Sequence, residues 1–330
     1  MRIAINGFGR IGRIIFRIAF ERGANIVAIN DVHGAENSAY LLKYDSIYGK
    51  YERNVSARNG NLIVEGRRIE VIGERDPYRL PWKKLGVDLV IESTGVFKDR
   101  LGASSHLSSG AKYAVITTPA TDPDITIIPG VNDSKLSKNH KIISVASCTT
   151  NCLVPMVKVL HDKFGIQRAF FTTVHAYTND QALHDSSNKK FRRGRAAGQN
   201  MVPTTTGASK SVIEIMPELL GRINGLAIRV PVIVGSLTDL TVELSKKASA
   251  NKVNSAFKSA AEGKLKGIIE YSEEELVSSD VIGNSHSCVI DSLSTQTTGN
   301  LVKVLGWYDN EWGYSCRVAD VIGMLRRYIK

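Results

Sequence analysis

Cysteine is scarce in this sequence, and long apolar runs are missing from it. Four cysteines are scattered over 330 residues, and no two of them form the CxxC pair typical of zinc sites and redox motifs. So few cysteines build no disulfide framework, which favours a reducing compartment, the cytoplasm. The apolar runs are too short to cross a bilayer, so we predict no membrane segment. A strand pattern begins at Met1, so we also expect no signal or transit peptide.

Internal repeats, low-complexity tracts and obvious linkers are missing as well. The composition, 43% hydrophobic and 23% charged, excludes disordered and fibrous proteins. A length of 330 residues is sufficient for two domains and a sizeable core. Positive charge is in excess, and the formal net charge of +11 suits phosphates, nucleotides or nucleic acid as ligands.

A glycine-rich motif follows the first predicted strand. Residues 2–6 form an apolar strand that runs into GFGRIG at 7–12, a GxGxxG motif, and a helical pattern comes next. A second strand, 26–30, ends at Asp31, about 20 residues beyond the glycines. The start of the helix would receive a pyrophosphate, and Asp31 would accept hydrogen bonds from an adenosine ribose. We therefore predict a dinucleotide site; the alternative is a turn that serves packing alone.

The remaining pattern divides the chain into two kinds of sheet. Up to residue 147, apolar segments that end in turn-forming residues predict parallel strands, at 87–91, 113–116 and 142–143. After residue 148 helices are fewer, and strands are predicted at 169–174, 225–230, 237–244, 288–291 and 301–308. The predicted fold class is α/β, with a doubly wound, mostly parallel Rossmann sheet and an α+β domain built on a mostly antiparallel sheet.

Cys148 lies between a predicted strand and a helical pattern that stops at Gly165. A cysteine at a helix N terminus meets free backbone N–H groups and the positive end of the helix dipole, which favour a thiolate. A thiolate is a strong nucleophile. The alternative is a small buried hydrophobic residue without reactivity.

His175 follows the predicted strand 169–174, so a rigid element would present its ring. A histidine near a cysteine can hold the thiolate as an ion pair and exchange a proton with a substrate oxygen. Seven histidines compete for this role, and hydrogen bonding within the core is the alternative for His175.

The densest basic run is KKFRRGR at residues 189–195. It could be a solvated loop, a nucleic-acid patch, or a loop that brings guanidinium groups to phosphate. The hydroxyls of 204–206 with Gly207, and the strand-end cation Arg229, would serve the same phosphate.

Taken together, these residues resemble the phosphorylating glyceraldehyde-3-phosphate dehydrogenase family. The matching segments are NGFGRIG at 6–12, ASCTTNC at 146–152, TVHAYTND at 173–180, RVP at 229–231 and WYDNEWGY at 307–314. The resemblance covers essentially the whole chain, and it is carried by the order and spacing of the segments. It implies that Cys148 attacks the aldehyde with His175 as general base, that hydride passes to NAD, and that inorganic phosphate releases 1,3-bisphosphoglycerate from the thioester.

The resemblance also implies the binding residues, and no metal site is among them. Those for the substrate and inorganic phosphate are Ser147, Thr149, Thr178, Arg195, Thr206, Gly207 and Arg229. Those for the cofactor are Gly7, Gly9, Arg10, Ile11, Gly12, Asp31, Arg75, Thr117 and Asn310. Arg10 and Ile11 would lie at the pyrophosphate, Asp31 at the ribose and Asn310 at the nicotinamide amide.

Domain limits and assembly follow from the same resemblance. Residues 1–147 would form the dinucleotide-binding domain, completed by the C-terminal helix 313–330, and residues 148–312 the catalytic domain. The family implies a homotetramer in which the basic loop, about 178–200, packs near the cofactor of a neighbouring subunit.

The chain departs from the family pattern in three places. Ser186-Ser187 replaces residues that crowd an adenosine 2′-phosphate, and His33 adds a phosphate donor, whereas the Asp31 carboxylate repels that phosphate. We predict NAD use with appreciable tolerance of NADP. Val232-Ile233 replaces Thr-Pro, which leaves the loop geometry open, and Lys190 stands where an acidic residue is common at an intersubunit contact.

Two other functions compete with this prediction. Erythrose-4-phosphate dehydrogenase uses the same cysteine chemistry, although residues 177–180 and 206–207 resemble the phosphorylating enzyme better. A basic nucleic-acid-binding protein would exploit the net charge, and its RNA binding would depend steeply on salt and survive Cys148→Ala.

Overall fold

The computed structural model describes residues 1–329, which fall into two compact units. The first unit comprises Met1–Ala146 and the C-terminal segment from Ser315 onward, and the second unit is Ser147–Tyr314. Within residues 1–329, no helix combines the length and the apolar character that crossing a membrane requires.

The first unit is built on a nine-stranded sheet with the order β10-β11-β9-β8-β1-β2-β7-β6-β5. Its strands are β1 (Arg2–Asn6), β2 (Asn25–Asn30), β5 (Val55–Arg58), β6 (Asn61–Val64), β7 (Arg67–Ile72), β8 (Leu89–Glu92), β9 (Tyr113–Ile116), β10 (Ile125–Thr126) and β11 (Ile142–Ser144), with a separate hairpin of β3 (Tyr44–Asp45) and β4 (Gly49–Lys50). Its helices are α1 (Arg10–Glu21), α2 (Gly34–Lys43) and α3 (Arg100–Ser108). Neighbouring strands from β10 to β7 are parallel, and β7, β6 and β5 are antiparallel.

Apolar strands explain the parallel part of this sheet. Strands β8 and β9 are buried along their whole length, as expected where both faces of a parallel sheet are covered. The predicted strand 87–91 begins two residues later, because Val87 N–H bonds to Trp82 O in a turn instead of joining the ladder.

The second unit is built on a seven-stranded sheet with the order β13-β14-β12-β15-β18-β17-β16. Its strands are β12 (Ile166–Ala176), β13 (Val202–Thr204), β14 (Ile223–Val230), β15 (Ser236–Leu244), β16 (Ile269–Ser272), β17 (Cys288–Thr298) and β18 (Leu301–Tyr308). Its helices are α4 (Cys148–Phe164), α5 (Ala208–Ile215) and α6 (Ala250–Glu262). The last helix, α7 (Trp312–Leu325), begins here, and from Ser315 it is grouped with the first unit.

The predicted fold class is confirmed: one sheet is mostly parallel, the other mostly antiparallel. Only β12 with β14 and β16 with β17 are parallel neighbours in the second sheet. Burial alternates strictly along β15, which shows a sheet with one covered face.

Several predicted bounds in the second unit were too narrow. Strand β12 runs through His175 to Ala176, so the histidine lies within the strand and not after it. Strand β17 continues past Asp291 to Thr298, through a polar half that follows a register shift after Asp291. Strand β13 contains Pro203, which is compatible with its position at the edge of the sheet but weakens the strand pattern.

Candidate active site

Cys148 is the first residue of α4, and the side chain that precedes it caps the helix. Ser147 Oγ accepts a hydrogen bond from Thr150 N–H at 3.1 Å. This bond satisfies one of the N–H groups that every helix N terminus leaves without an intrahelical partner. The local sequence therefore places the Cys148 sulfur at the positive end of the helix dipole.

His175 faces this sulfur from the neighbouring strand β12. Cys148 Sγ lies 3.3 Å from His175 Nε2, and the histidine is buried. His175 Nδ1 lies 2.6 Å from Ala176 O, a pure acceptor. Nδ1 also lies 2.8 Å from Arg229 Nη1, a pure donor, so its neighbours are compatible with either tautomer. The tautomer with the proton on Nδ1 is the one that leaves Nε2 free to accept the thiol proton.

Arg229 completes the cluster because the parallel pairing of β12 and β14 places it opposite His175. Its Nη1 lies 2.8 Å from His175 Nδ1 and donates to Ala176 O at 3.1 Å. Its Nε is buried and meets no hydrogen-bond partner within residues 1–329. Since an unsatisfied buried donor is costly, this nitrogen favours a site for an anionic ligand.

Burial governs the ionisation of the pair. It raises the pKa of Cys148 to about 11, against the opposing pull of Arg229 and the Thr149 N–H. It lowers the pKa of His175 to about 3, and the Arg229 cation adds to that shift. Burial therefore opposes the thiolate that the helix N terminus favours. The contact between Sγ and Nε2 allows the proton to move from sulfur to nitrogen within the pair.

In the first unit, the glycine-rich loop between β1 and α1 has the shape of a phosphate cradle. Gly7 has φ +90°, and a Cβ there would lie 2.6 Å from Thr94 N. A Cβ on Gly12 would lie 2.2 Å from Gly7 O, whereas one on Gly9 would meet no atom within 4 Å. Gly9 also provides no side-chain cap for α1. Open backbone at a helix N terminus fits a pyrophosphate, so this chain has the loop that a dinucleotide requires.

The other predicted cofactor residues of the first unit differ in how their side chains are used. Arg10 and Ile11 are the first residues of α1, and Arg10 pairs with Asp45 at 3.0 Å. Asp31 follows β2, and its Oδ1 accepts a hydrogen bond from His33 N–H at 2.9 Å. The buried Thr117 hydroxyl donates to a main-chain carbonyl, Glu92 O, at 3.1 Å, while Arg75 is exposed.

Comparison with known proteins agrees with this geometry. Residues 1–100 match the family model of the NAD binding domain of glyceraldehyde 3-phosphate dehydrogenase, and residues 147–310 match that of its C-terminal domain. The chain belongs to the glyceraldehyde-3-phosphate dehydrogenase family. This is a family of NAD-dependent oxidoreductases, and NAD is the cofactor of its N-terminal domain.

Curated relatives match over nearly the full length. The chain is 54% identical over 324 residues to glyceraldehyde-3-phosphate dehydrogenase of Priestia megaterium, covering 97% of both chains. It is 52% identical over 329 residues to the enzyme of Borreliella burgdorferi, covering 97% of this chain and 98% of the relative. The enzyme numbered 1 of Bacillus subtilis is 52% identical over 330 residues, with 99% of this chain and 98% of the relative covered.

The predicted anion-binding residues of this family member occupy two kinds of position. Thr206 and Gly207 precede α5, Thr206 Oγ1 accepts a hydrogen bond from Ala208 N–H at 3.2 Å, and Gly207 is exposed. The Thr149 hydroxyl is instead engaged inside the protein, 3.0 Å from Tyr308 Oη. Thr178 donates its hydroxyl to Asp180, a carboxylate close enough to influence His175.

Arg195 and Arg193, two arginines of the basic run, differ in exposure and in partners. Arg195 pairs with Asp185 at 2.8 Å, and its side chain is 63% exposed. Arg193, which the sequence analysis did not single out, has a side chain that is 12% exposed and pairs with Asp180. It also donates to Thr204 Oγ1 at 2.9 Å, and its charge lowers the pKa of His175. Within one basic run, tertiary contacts decide which guanidinium lies near the reactive pair.

Tyr308 is the second residue for which the sequence analysis assigned no role. Its buried hydroxyl lies 3.0 Å from Thr149 Oγ1 and 2.7 Å from Thr173 Oγ1. Its ring packs edge-on against His175, with ring centroids 6.0 Å apart. Tyr308 thus joins the first turn of α4 to strand β12. A polar aromatic at the buried end of an apolar strand is the available sequence signal, because a buried tyrosine hydroxyl needs partners.

Asn310, the predicted nicotinamide residue, has a fixed amide. Its Oδ1 accepts hydrogen bonds from Gly235 N–H at 3.1 Å and from the Ser236 hydroxyl at 2.9 Å. These bonds settle which end of the amide is oxygen, and they leave Nδ2 as the group that could donate to a ligand.

Proposed function

We propose that this chain oxidises D-glyceraldehyde 3-phosphate with NAD and inorganic phosphate to 1,3-bisphosphoglycerate through a thioester on Cys148. The contact of 3.3 Å between Cys148 Sγ and His175 Nε2 carries the proposal. It joins a nucleophile to a side chain that can accept its proton, which is the arrangement that covalent catalysis requires.

The chemistry divides between these two side chains. The thiol proton moves to His175 Nε2 while the sulfur adds to the aldehyde carbon, and the carbonyl oxygen then takes that proton from His175 to give a thiohemiacetal and a neutral imidazole. His175 then removes the hydroxyl proton as hydride leaves the carbon, which yields the thioester. Bound NAD supplies the hydride acceptor. A phosphate oxygen finally attacks the thioester carbon and releases the Cys148 sulfur.

Two anion sites serve this sequence of steps. Arg229 is suited to one phosphate, because its buried Nε meets no hydrogen-bond partner within residues 1–329 and lies beside the reactive pair. Thr178 and Arg193, which both pair with Asp180, would complete this site. The hydroxyl and N–H donors for the other phosphate come from Ser147, Thr149, Thr206 and Gly207, with the start of α5 as its centre. Arg195, exposed and paired with Asp185, contributes long-range charge at most in this geometry.

The cofactor would be held by the glycine loop, by Asp31 at the ribose, and by Arg75 and Thr117 along the adenosine half. Asn310 Nδ2 would hold the nicotinamide amide. Tolerance of NADP is part of the proposal: Asp31 already accepts a bond from His33 N–H, and the exposed Arg75 offers a cation for a 2′-phosphate.

The deciding assay is phosphate-dependent cofactor reduction. Wild-type protein should reduce NAD with glyceraldehyde 3-phosphate only when phosphate is present, should use NADP more weakly, and should turn over erythrose 4-phosphate poorly. Cys148→Ser should lose turnover by at least about a thousandfold. Reduction that ignores phosphate, or a Cys148→Ser variant that remains active, would contradict the proposed mechanism.

We also propose a cytoplasmic homotetramer. The uncovered face of the second unit's sheet carries large exposed apolar side chains, Phe170, Leu226 and Leu301. Large apolar side chains left exposed on one face of a sheet favour a protein interface there. Light scattering should give a tetramer for wild type and a smaller species for the double variant Phe170→Asp, Leu226→Asp; a wild-type monomer would refute the assembly.

A further inference from the structure

A buried polar network adjoins the glycine-rich loop of the first unit. Its centre is Glu92, the last residue of β8, whose side chain is 1% exposed. Glu92 Oε2 accepts hydrogen bonds from Asn6 Nδ2 at 2.6 Å and from His106 Nε2 at 2.9 Å. Glu92 Oε1 accepts bonds from the Thr94 N–H at 2.8 Å and from the Thr94 hydroxyl. A carboxylate is tolerated inside a protein only when donors of this kind surround it.

His106 is held in one tautomer. Trp82 Nε1–H donates to His106 Nδ1 at 3.2 Å, and an indole nitrogen has no capacity to accept. Nδ1 is therefore the acceptor, and Nε2 carries the proton that is donated to Glu92. Both rings are fully buried, so this direction of hydrogen bonding is fixed by the surrounding packing.

The network continues from Glu92 to the neighbouring strand ends. Asn30 Nδ2 donates to Asn6 Oδ1 at 2.7 Å and to Glu74 O at 2.8 Å, while Asn30 Oδ1 accepts from Glu74 N–H at 3.0 Å. Asn6, Asn30 and Glu92 are the last residues of β1, β2 and β8. The network thus ties together the carboxyl ends of adjacent parallel strands, which is the edge where such sheets bind ligands.

Glu92 accepts hydrogen bonds from both backbone segments that meet at the glycine loop. Gly7 packs so closely on Thr94 that a Cβ would lie 2.6 Å from Thr94 N. Ser93 Oγ donates to Gly7 O at 2.6 Å. Asn6 precedes Gly7 in the chain, and both Asn6 and Thr94 donate to the Glu92 carboxylate. The separation between the two backbone segments is therefore set by one side chain beneath them.

We propose that Glu92 is a positioning residue for the dinucleotide. Through Asn6 and Thr94 it holds the backbone segments of Gly7 and Thr94 at the separation that the adenosine diphosphate half of the cofactor needs. The proposal rests on the proposed function, because it assigns the ligand of that same loop. Glu92→Gln places an amide NH₂ against donor groups whichever way the amide is turned. The separation between the Gly7 and Thr94 segments is then no longer fixed, although the size of the side chain is conserved.

The test measures binding apart from turnover. We expect Glu92→Gln to raise the Kd for ADP-ribose in calorimetry and the KM for NAD about tenfold. The kcat at saturating NAD and the rate of Cys148 alkylation without cofactor should stay within about twofold. Asn30→Ala, which cuts the same network at its far end, should give the same signature and decides the matter if Glu92→Gln does not fold.

The matched control is Asp88→Asn, at the residue just before the start of the same strand. Asp88 also accepts a main-chain N–H, from Arg2 at 2.7 Å, and pairs with Lys112 at 2.7 Å. The Asp88→Asn variant should have an unchanged Kd for ADP-ribose. Folded Glu92→Gln that binds ADP-ribose like wild type, or Asp88→Asn that weakens binding equally, would overturn the proposal. Wild-type protein that fails to bind ADP-ribose would instead contradict the proposed function itself.

Discussion

The two buried polar clusters of this chain differ in whether their hydrogen bonds are complete. Around Glu92 in the first unit, each carboxylate oxygen accepts bonds from named donors, and the donors are themselves fixed by further bonds. Around Cys148 in the second unit, the buried Arg229 Nε meets no partner within residues 1–329. A satisfied network holds backbone in place, whereas an unsatisfied buried donor is kept for a ligand.

In the cluster around Cys148, a nearby cation also changes the pKa values of the reactive side chains. In the second unit, Arg229 and burial both lower the pKa of His175, and Arg229 opposes the effect of burial on Cys148. The Arg229 cation is therefore placed to stabilise the Cys148 sulfur once the sulfur ionises. The comparison predicts large chemical effects from variants in the second unit and effects on binding or stability from variants that only support it.

The largest expected effect is that of His175→Asn, which removes the acceptor of the thiol proton. We expect kcat to fall about 10²–10⁴-fold. Without the imidazole the sulfur must lose its proton to solvent while its burial is unchanged, so the pKa of Cys148 rises and the pH profile of iodoacetamide alkylation shifts upward. A profile that stays in place would show that the pair is not coupled, and the contrast between the two clusters would fail.

The next effect compares two arginines of one loop. Arg193→Ala should raise the KM for the triose phosphate about tenfold or more, because a buried guanidinium near the reactive pair is lost. Arg195→Ala removes an exposed ion pair with Asp185, so its KM for the triose phosphate should stay within about twofold of the wild-type value. Steady-state kinetics with varied aldehyde and varied phosphate measures both. If Arg195→Ala raises the KM more than Arg193→Ala does, burial does not indicate which arginine binds the ligand.

A smaller effect tests the charge at the adenosine end. Asp31→Asn removes the carboxylate that would repel a 2′-phosphate, so the KM for NADP should fall about tenfold while that for NAD rises. His33→Ala serves as its counterpart and should move the KM for NADP in the opposite direction. If Asp31→Asn leaves the selectivity between NAD and NADP unchanged, residues other than Asp31 determine that selectivity.

The smallest effect is expected from Tyr308→Phe, which removes a hydroxyl from a satisfied part of the second unit. Losing the bonds to Thr149 and Thr173 should cost about 1 kcal/mol in the free energy of unfolding, measured with urea, and lower kcat less than tenfold. Tyr271→Phe in β16 is the control, since its ring contacts Lys258 and lies outside this cluster. A loss in kcat as large as that of His175→Asn would give Tyr308 a chemical role.

Much of the fold was predictable because its signals are local. Apolar runs and turn residues indicated the parallel strands, and Tyr113–Ile116 and Leu301–Tyr308 have the predicted bounds. Strand β16 and the polar half of β17 were not predicted, because their side chains satisfy neither a continuous nor an alternating apolar pattern. Those segments are strands because neighbouring strands complete their hydrogen bonds.

The candidate site divides along the same line. The glycine loop and the capped start of α4 follow from residues adjacent in sequence, and so could be named in advance. The effect of burial on the pKa of Cys148 could not be predicted, because desolvation depends on everything packed around the thiol. The catalytic and binding roles themselves stay predictions until the variants are measured.

By itself, the sequence determined which elements form and which backbone positions open toward a ligand, since both depend on spacing within a few residues. Only the tertiary structure decided that Arg229 stands opposite His175, that Arg193 turns inward while Arg195 faces solvent, and that Glu92 joins three strand ends. These contacts join residues far apart in the chain, and their strength comes from burial, which no short stretch of sequence contains.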